Sequence, residues 1–296
     1  MNKYRLSSKS FERETEDEKI LPYKVYFLAV EGNHTEKEYF EGLSKYRTTL
    51  GINARVNVIV LNRSRRDTNS TPDNVLELLE EYIRLRDSSE KKYLDIPEDF
   101  TKKYGEDFII TFLNTPEKLT HKERNAFVND LRNLGYDIYY RRYLSKYDGD
   151  YDEFCIMIDR DVHSHSKESL KKCIDHCKNN GYRFFITNPC FEFWLLLHLS
   201  DVKAEYSDRL EQIKENEKVS ANHTFVSNEV SKKAHHGKSG IGFKTNYLPN
   251  IPLAIQRAKD FEADPEKLLD NIGCNLHELI TEMMSFSPKN ELNTEK

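Results

Sequence analysis

Carboxylates close two of the apolar runs in this 296-residue chain. Glu31 ends "YKVYFLAVEG" just before Gly32, and Asp159 and Asp161 end "FCIMIDRD". If both runs are strands, residues i and i+2 point the same way. Asp159 and Asp161 would then aim at one point while Arg160 faces away. With the Glu31 strand adjacent, the three carboxylates converge. Uncompensated, they would repel and raise one another's pKa values. A divalent cation removes that cost, and all-oxygen ligation suits Mg2+ or Mn2+. The plain alternative is that acids after strands cap the helices that follow, and a D-x-D alone occurs often by chance.

The elements that must position these acids alternate. "YKVYFLAVEG" reads as a strand buried on both faces. A helix follows, with Thr35 as N-cap, Glu38 at the capping-box spacing, and Tyr39, Phe40 and Leu43 turned inward. "ARVNVIVLNRS" is a second strand, and "PDNVLELLEEYIRLRDSSE" a helix with Pro72 in its first turn. In the insertion that follows, "DFIITFL" reads as a strand, "KERNAFVNDLRNLG" as a helix ending at Gly135, and "YDIYYRRYL" as a further strand. Then come the "FCIMIDRD" strand, a helix that stops at Gly181, the strand "YRFFIT", and the nearly all-apolar, buried helix of "NPCFEFWLLLHLS". Further helices are expected at 208–217, 227–234, 252–261 and 276–284. The organisation is therefore a polar mobile arm (1–22), a first part of an α/β domain (23–90), an α/β insertion (91–152), and a second part with a helical C-terminal region (153–296). Strands alternating with such helices favour a mostly parallel sheet flanked by helices, and in such sheets chemistry collects at the carboxyl ends of the strands.

Other polar residues fall near those ends. Asn188 and Glu192 open the apolar helix, where they could bind phosphate or metal-bound water at the positive helix terminus, or serve only as cap and helix-start acid. An ionised Glu192 inside so apolar a helix needs a partner. His198 lies further along, where a satisfied core histidine is the common outcome. His163 and His165 follow the D-x-D, His163 being the better placed for the metal shell or for proton transfer. Two basic clusters could meet phosphates: Arg63, Arg65 and Arg66 after the second strand, and Lys232, Lys233 and Lys238 in the glycine-containing "SKKAHHGKSGIGFK". The latter lacks the spacing of a Walker A loop, and a solvated loop is its plain reading. Arg141 and Arg142 interleave with Tyr139, Tyr140 and Tyr143, which reads as ordinary sheet packing rather than base stacking.

The net charge of −5 excludes indiscriminate binding of nucleic acid over the whole surface, but not at a local basic patch. No apolar run approaches a bilayer span and the N-terminus lacks the apolar core of a signal peptide, so a cytoplasmic protein without membrane contact is expected. The five cysteines form no disulfide framework and no metal-ligand spacing, and Cys173 and Cys177 read as structural.

In combination, "EGNHTEKEYF" (31–40), "MIDRDVH" (157–163) and "TNPCFEFWLLLH" (187–198) closely resemble RloB-like proteins, matching EG-x-x-TE-x-x-YF, DRD-x-H and NPCFE-x-WLLLH in order. "DNIGCNLHELI" (270–280) is a looser match, and the stretch 91–152 is longer than the family's. The resemblance implies a Toprim-like parallel sheet in which Glu31, Asp159 and Asp161 hold Mg2+ or Mn2+, with Glu31 as general base or second-metal ligand. It implies a nuclease effector of an anti-phage abortive-infection system, cutting RNA (tRNA among the candidates) or DNA, with a partner ATPase from the same locus. Glu192 joins the catalytic set, and Lys244 is the cation expected to neutralise transition-state charge. His163, Asn188 and His198 are accessory candidates, and assembly of identical chains is left open. Two rivals remain: a non-catalytic, metal-binding regulatory subunit of a defence ATPase, and a nucleotidyl- or phosphoryl-transfer enzyme.

Overall fold

A computed structural model describes residues 24–32, 34–61, 71–87, 98–134, 151–235 and 240–286. Its centre is a five-stranded sheet of order β2-β1-β3-β4-β5, formed by β1 (Lys24–Val30), β2 (Val56–Leu61), β3 (Glu153–Asp159), β4 (Arg183–Asn188) and the short β5 (Gly273–Cys274). The first four are parallel and β5 runs antiparallel to β4. The register pairs Val30 with Met157 and Asp159 with Thr187, so the carboxyl ends of β1, β3 and β4 lie side by side.

Alternation along the strands separates two cores. Tyr26, Leu28, Val30, Cys155, Met157 and Phe185 face one layer of helices; Phe27, Ala29, Ile156, Ile158 and Ile186 face the other. Burial on both faces is what makes these strands read as continuous apolar runs. The first layer includes α1 (Thr35–Lys45) and, beyond the insertion, α7 (Phe191–Leu199), α8 (Phe225–Lys233), α9 (Phe243–Asn246), α10 (Ile251–Ala258) and α11 (Leu276–Ser285). The second is α2 (Pro72–Asp87) and α6 (Lys167–Asn180). The fold is thus α/β with a mostly parallel sheet. As expected, α6 stops at Gly181, whose φ of +73° is the left-handed cap conformation that glycine takes without steric cost, and α7 is buried almost all round.

Local expectations fail in two places. "DFIITFL" is not a strand but part of α4 (Glu106–Asn114), between α3 (Glu98–Tyr104) and α5 (His121–Leu134). A short apolar run is ambiguous between strand and helix; here Ile109 and Phe112, three apart, pack with Phe127 and Val128 of α5 in a small separate core while Ile110 stays exposed. The expected strand "YDIYYRRYL", with Arg141 and Arg142, lies outside the described residues, as do the arm 1–22 and the cluster Arg63, Arg65 and Arg66. The other failure is the start of α1. His34, not Thr35, holds the N-cap position, with no side-chain cap. Glu38 instead accepts a hydrogen bond from the Ile241 N–H at 2.7 Å, tying a distant loop to α1.

At the amino ends of the strands, opposite the acids, Glu282 of α11 meets Lys24 (2.9 Å), Arg183 and the Tyr26 hydroxyl (2.6 Å), and Glu153 pairs with the same two cations. Burial raises the Glu282 pKa, but hydrogen bonds from Tyr26 and Lys24 and the Arg183 charge outweigh it and hold it at about 2. A depressed carboxyl stabilises the fold above its unfolded pKa, and that contribution is lost as pH falls towards the folded value. Glu282→Ala is therefore expected to cost about 2 kcal/mol near neutrality, discounted for the part exposure of the cluster. Urea melts should show this deficit shrinking between pH 5 and pH 2; a deficit independent of pH would contradict the assignment.

Candidate metal and phosphodiester site

The acids gather where the topology puts strand ends beside helix starts. Glu31 follows β1 directly, and its N–H donates to the Met157 carbonyl at 3.2 Å, prolonging the ladder. One carboxylate oxygen accepts from the Asp159 N–H at 3.1 Å, and the other lies 3.1 Å from His165 Nε2. Asp159, the last residue of β3, accepts from the Thr187 hydroxyl at 2.5 Å. Burial first, then the negative charges of Glu31, Glu36 and Glu192, push its carboxyl well above the ordinary range.

Glu36 is the member that the sequence reading missed. It lies in the first turn of α1 and is buried. Burial raises its pKa to about 7; backbone N–H bonds of Glu36 itself and Gly32 oppose this, and the charges of Glu192 and Glu31 add to it. Its carboxylate covers Gly32 so closely that a Cβ there would fall 2.1 Å from an oxygen, so this position admits only glycine while Glu36 stays in place. The signal was present in the spacing. Residues 36, 39, 40 and 43 share a helical face, and an acid on an otherwise apolar inward face is out of place unless something there needs it.

Asp161 does not act as the second tooth of a strand-borne pair. β3 ends at Asp159, so alternation stops there. Asp161 has φ +21°, its N–H donates to the Pro189 carbonyl, and its carboxylate accepts from the His163 N–H (3.1 Å) and the Ser164 hydroxyl (2.7 Å), capping its own turn. Arg160 does face away, bonding the carbonyls of Leu269 and His165, each at 2.8 Å.

A cleft of about 860 Å³ opens beside these acids. Its lining includes Asp159, Asp161 and Glu192 together with Lys218, Asn222, His223, Ser227 and His235. His163 also lines it, 3.3 Å from the Glu215 carbonyl and 3.7 Å from the Glu217 carboxylate. The buried histidine that touches an acid is His165, the reverse of the expected order. Burial lowers its pKa, yet the bond to Glu31 raises it on balance.

Other candidates stand elsewhere. His198 is fully buried: Nδ1 lies 2.9 Å from the Trp194 carbonyl and Nε2 3.0 Å from the Tyr39 hydroxyl. Donation from Nδ1–H and acceptance at Nε2 satisfy both bonds in the neutral ring, and burial lowers its pKa to about 3. It is a core residue and not an accessory catalytic one. Asn188 Nδ2 donates to the Leu268 carbonyl at 2.7 Å, on the face of the sheet opposite to Asp159, which removes it from the acid site. Lys232 pairs with Glu229 and Lys233 with Glu205, and neither lines the cleft, since Ser231, Ala234 and His235 supply the inward side there. Lys244 is exposed on α9 and also absent from the lining, which leaves its expected transition-state role without a position. Lys238 lies outside the described residues.

Among the described residues no group of three or more His, Cys, Asp or Glu stands ready-made to hold a metal ion. Oxygens of Glu31 and Asp161 are engaged by His165 and by Asp161's own turn, respectively. In kind, the donor set still fits a hard divalent ion: carboxylate oxygens, partly withdrawn from water, that raise one another's proton affinity. Among the described residues no Lys or Arg pairs with Asp159, Glu36 or Glu192. No described helix is long and apolar enough to cross a membrane. All five cysteines are free and buried.

Neither a curated protein nor a solved structure matches the chain. The family model described as RloB-like protein matches residues 26–283, nearly the whole length, and the chain therefore belongs to the RloB-like family.

Proposed function

We propose that this protein is a Mg2+- or Mn2+-dependent nuclease of Toprim type that hydrolyses phosphodiesters, in RNA such as tRNA or in DNA, as the effector of an anti-phage abortive-infection system with a partner ATPase. The observation that carries the reading is the group of carboxylates Glu31, Glu36, Asp159 and Glu192 at adjoining strand and helix ends, whose charges act on one another and of which Asp159 and Glu192 line a cleft. Glu31, Asp159 and Asp161 are the residues that would hold the ion, with Glu36 and Glu192 supplying further oxygen. The bound ion supplies Lewis-acid polarisation of a phosphoryl oxygen and lowers the pKa of water. Glu31, held by His165, would serve as the proton acceptor.

The commitment of Glu31 and Asp161 to internal hydrogen bonds favours a second reading, a metal-binding regulatory subunit of a defence ATPase that cuts nothing. One assay separates the two. Purified protein is incubated with labelled tRNA, single-stranded RNA and duplex DNA in Mg2+ or Mn2+. Cleavage that Glu31→Ala abolishes supports the nuclease. Metal binding without cleavage of any substrate, with the ATPase present, rejects it.

A further inference from the structure

We propose that the hairpin 217–225 is a substrate-gripping element selecting an unpaired nucleic-acid strand, a reading that rests on the proposed nuclease. The hairpin closes through a Lys218–Thr224 bridge and through donation from the Val219 N–H to the His223 carbonyl (2.9 Å) and from the Phe225 N–H to the Glu217 carbonyl (2.9 Å). Its base is fixed: Asn216 accepts from the Val226 N–H at 2.9 Å and its amide reaches Cys190 Sγ at 3.4 Å, two residues before Glu192. The hairpin is thereby tied to the start of the helix that carries an acid of the site.

Its side chains suit a polynucleotide. Lys218, Asn222 and His223, with Glu217, are exposed residues of the cleft lining, whereas Asp159 and Glu192 in the same lining are half-buried. Among the described residues, Lys218 is the one Lys or Arg side chain lining the cleft. A cation and hydrogen-bond donors sharing a cleft with half-buried acids would hold one phosphate while a neighbouring one approaches the acids. Val219, next to Lys218, and Val162, between Asp161 and His163, are 49% and 43% exposed, so each cleft-lining neighbour is flanked by apolar surface that a base could meet. The cleft has the size of a drug-ligand pocket, enough for about one or two nucleotides. A duplex could present its backbone to the half-buried acids only after extruding nucleotides, at the cost of unpairing.

The test is fluorescence anisotropy of the intact protein in Ca2+ with a short fluorescein-labelled single-stranded RNA, its DNA counterpart and each annealed to its complement. Both single strands are expected to bind about tenfold or more tighter than the duplexes. Lys218→Ser and His223→Ser should each weaken single-strand binding about fivefold or more, and Lys218→Ser should also reduce the salt slope by about 0.7. Lys172→Ser, on the exposed side of α6, serves as the control and should bind like the parent. Equal or tighter duplex binding, hairpin variants that bind like the parent, or no binding of either strand overturns the proposal. Hairpin-dependent binding without cleavage in Mg2+ would reject the nuclease and leave the grip standing; cleavage with unaltered KM in both hairpin variants would do the reverse.

Discussion

Asp159→Asn is expected to make the metal-free protein more stable while removing its proposed activity. The Asp159 carboxyl is crowded by Glu31, Glu36 and Glu192 and has lost much of its water, so its ionised form is disfavoured. Asparagine keeps the oxygen that accepts from Thr187 and brings an amide that can donate to the surrounding carboxylates. The backbone N–H bond to Glu31 is unaffected. Relief of a strained functional site commonly yields about 0.5–2 kcal/mol. Cleavage should fall by about a thousandfold, as when a group that stabilises transition-state charge is removed. Thermal melts at pH 7.5 with and without Mg2+ check both halves: the variant melts higher than the parent in EDTA and no longer responds to the metal. A variant that melts lower in EDTA, or one that Mg2+ stabilises as strongly as the parent, would show that Asp159 is not the acid under strain.

The sheet and much of this site were legible in the sequence, because burial on both faces writes β1 and β3 as apolar runs and an acid ending such a run stands out. Asp161 was misplaced since alternation holds only while the strand lasts, and the strand stops at Asp159. Sequence spacing carries no mark of that stop, which depends on the Pro189 carbonyl meeting the Asp161 N–H. Glu36 was overlooked because an acid in a first turn already has an explanation in the helix dipole; only its shared face with Tyr39 and Phe40 argued for more. The lysines 232 and 233 illustrate a different limit. A basic run shows that cations are near one another, but their partners, Glu229 and Glu205, come from packing that local sequence does not encode. His163 and His165 exchanged their expected standing for the same reason: one turn places His165 against Glu31, while His163 stays exposed in the cleft lining. His198, enclosed among Tyr39, Trp194 and Tyr247, is the core histidine that its place in an apolar helix suggested.

Glu36 gives the strain of the site a pH dependence. Its folded pKa of about 7 lies above the ordinary 4.5, so between these values the native state holds a proton that the unfolded chain has released. By linkage its contribution to stability is fully present below the unfolded pKa and is lost as pH rises through the folded one. A difference of roughly 2.5 units corresponds to about 3 kcal/mol. The raised pKa values of Asp159 and His165 act in the same direction, Glu282 acts only at lower pH, and the lowered pKa values of His198 and His277 act oppositely, so from pH 5 to 8 the carboxyl is isolated in the difference between the parent and Glu36→Gln. In urea melts of the metal-free proteins, the stability of the parent relative to Glu36→Gln should therefore fall steadily across that interval. The contributions of Asp159, His165, His198 and His277 are common to both proteins and largely cancel in that difference. A divalent ion that binds only the native state adds stability by mass action, and at pH 5 it must first displace protons from the acids it needs. Mn2+ should consequently stabilise the parent far more at pH 8 than at pH 5. A parent-to-variant difference that is level from pH 5 to 8 would mean that the Glu36 carboxyl is not raised, and equal stabilisation of the parent by Mn2+ at both ends would mean that these carboxylates are not the seat of the metal.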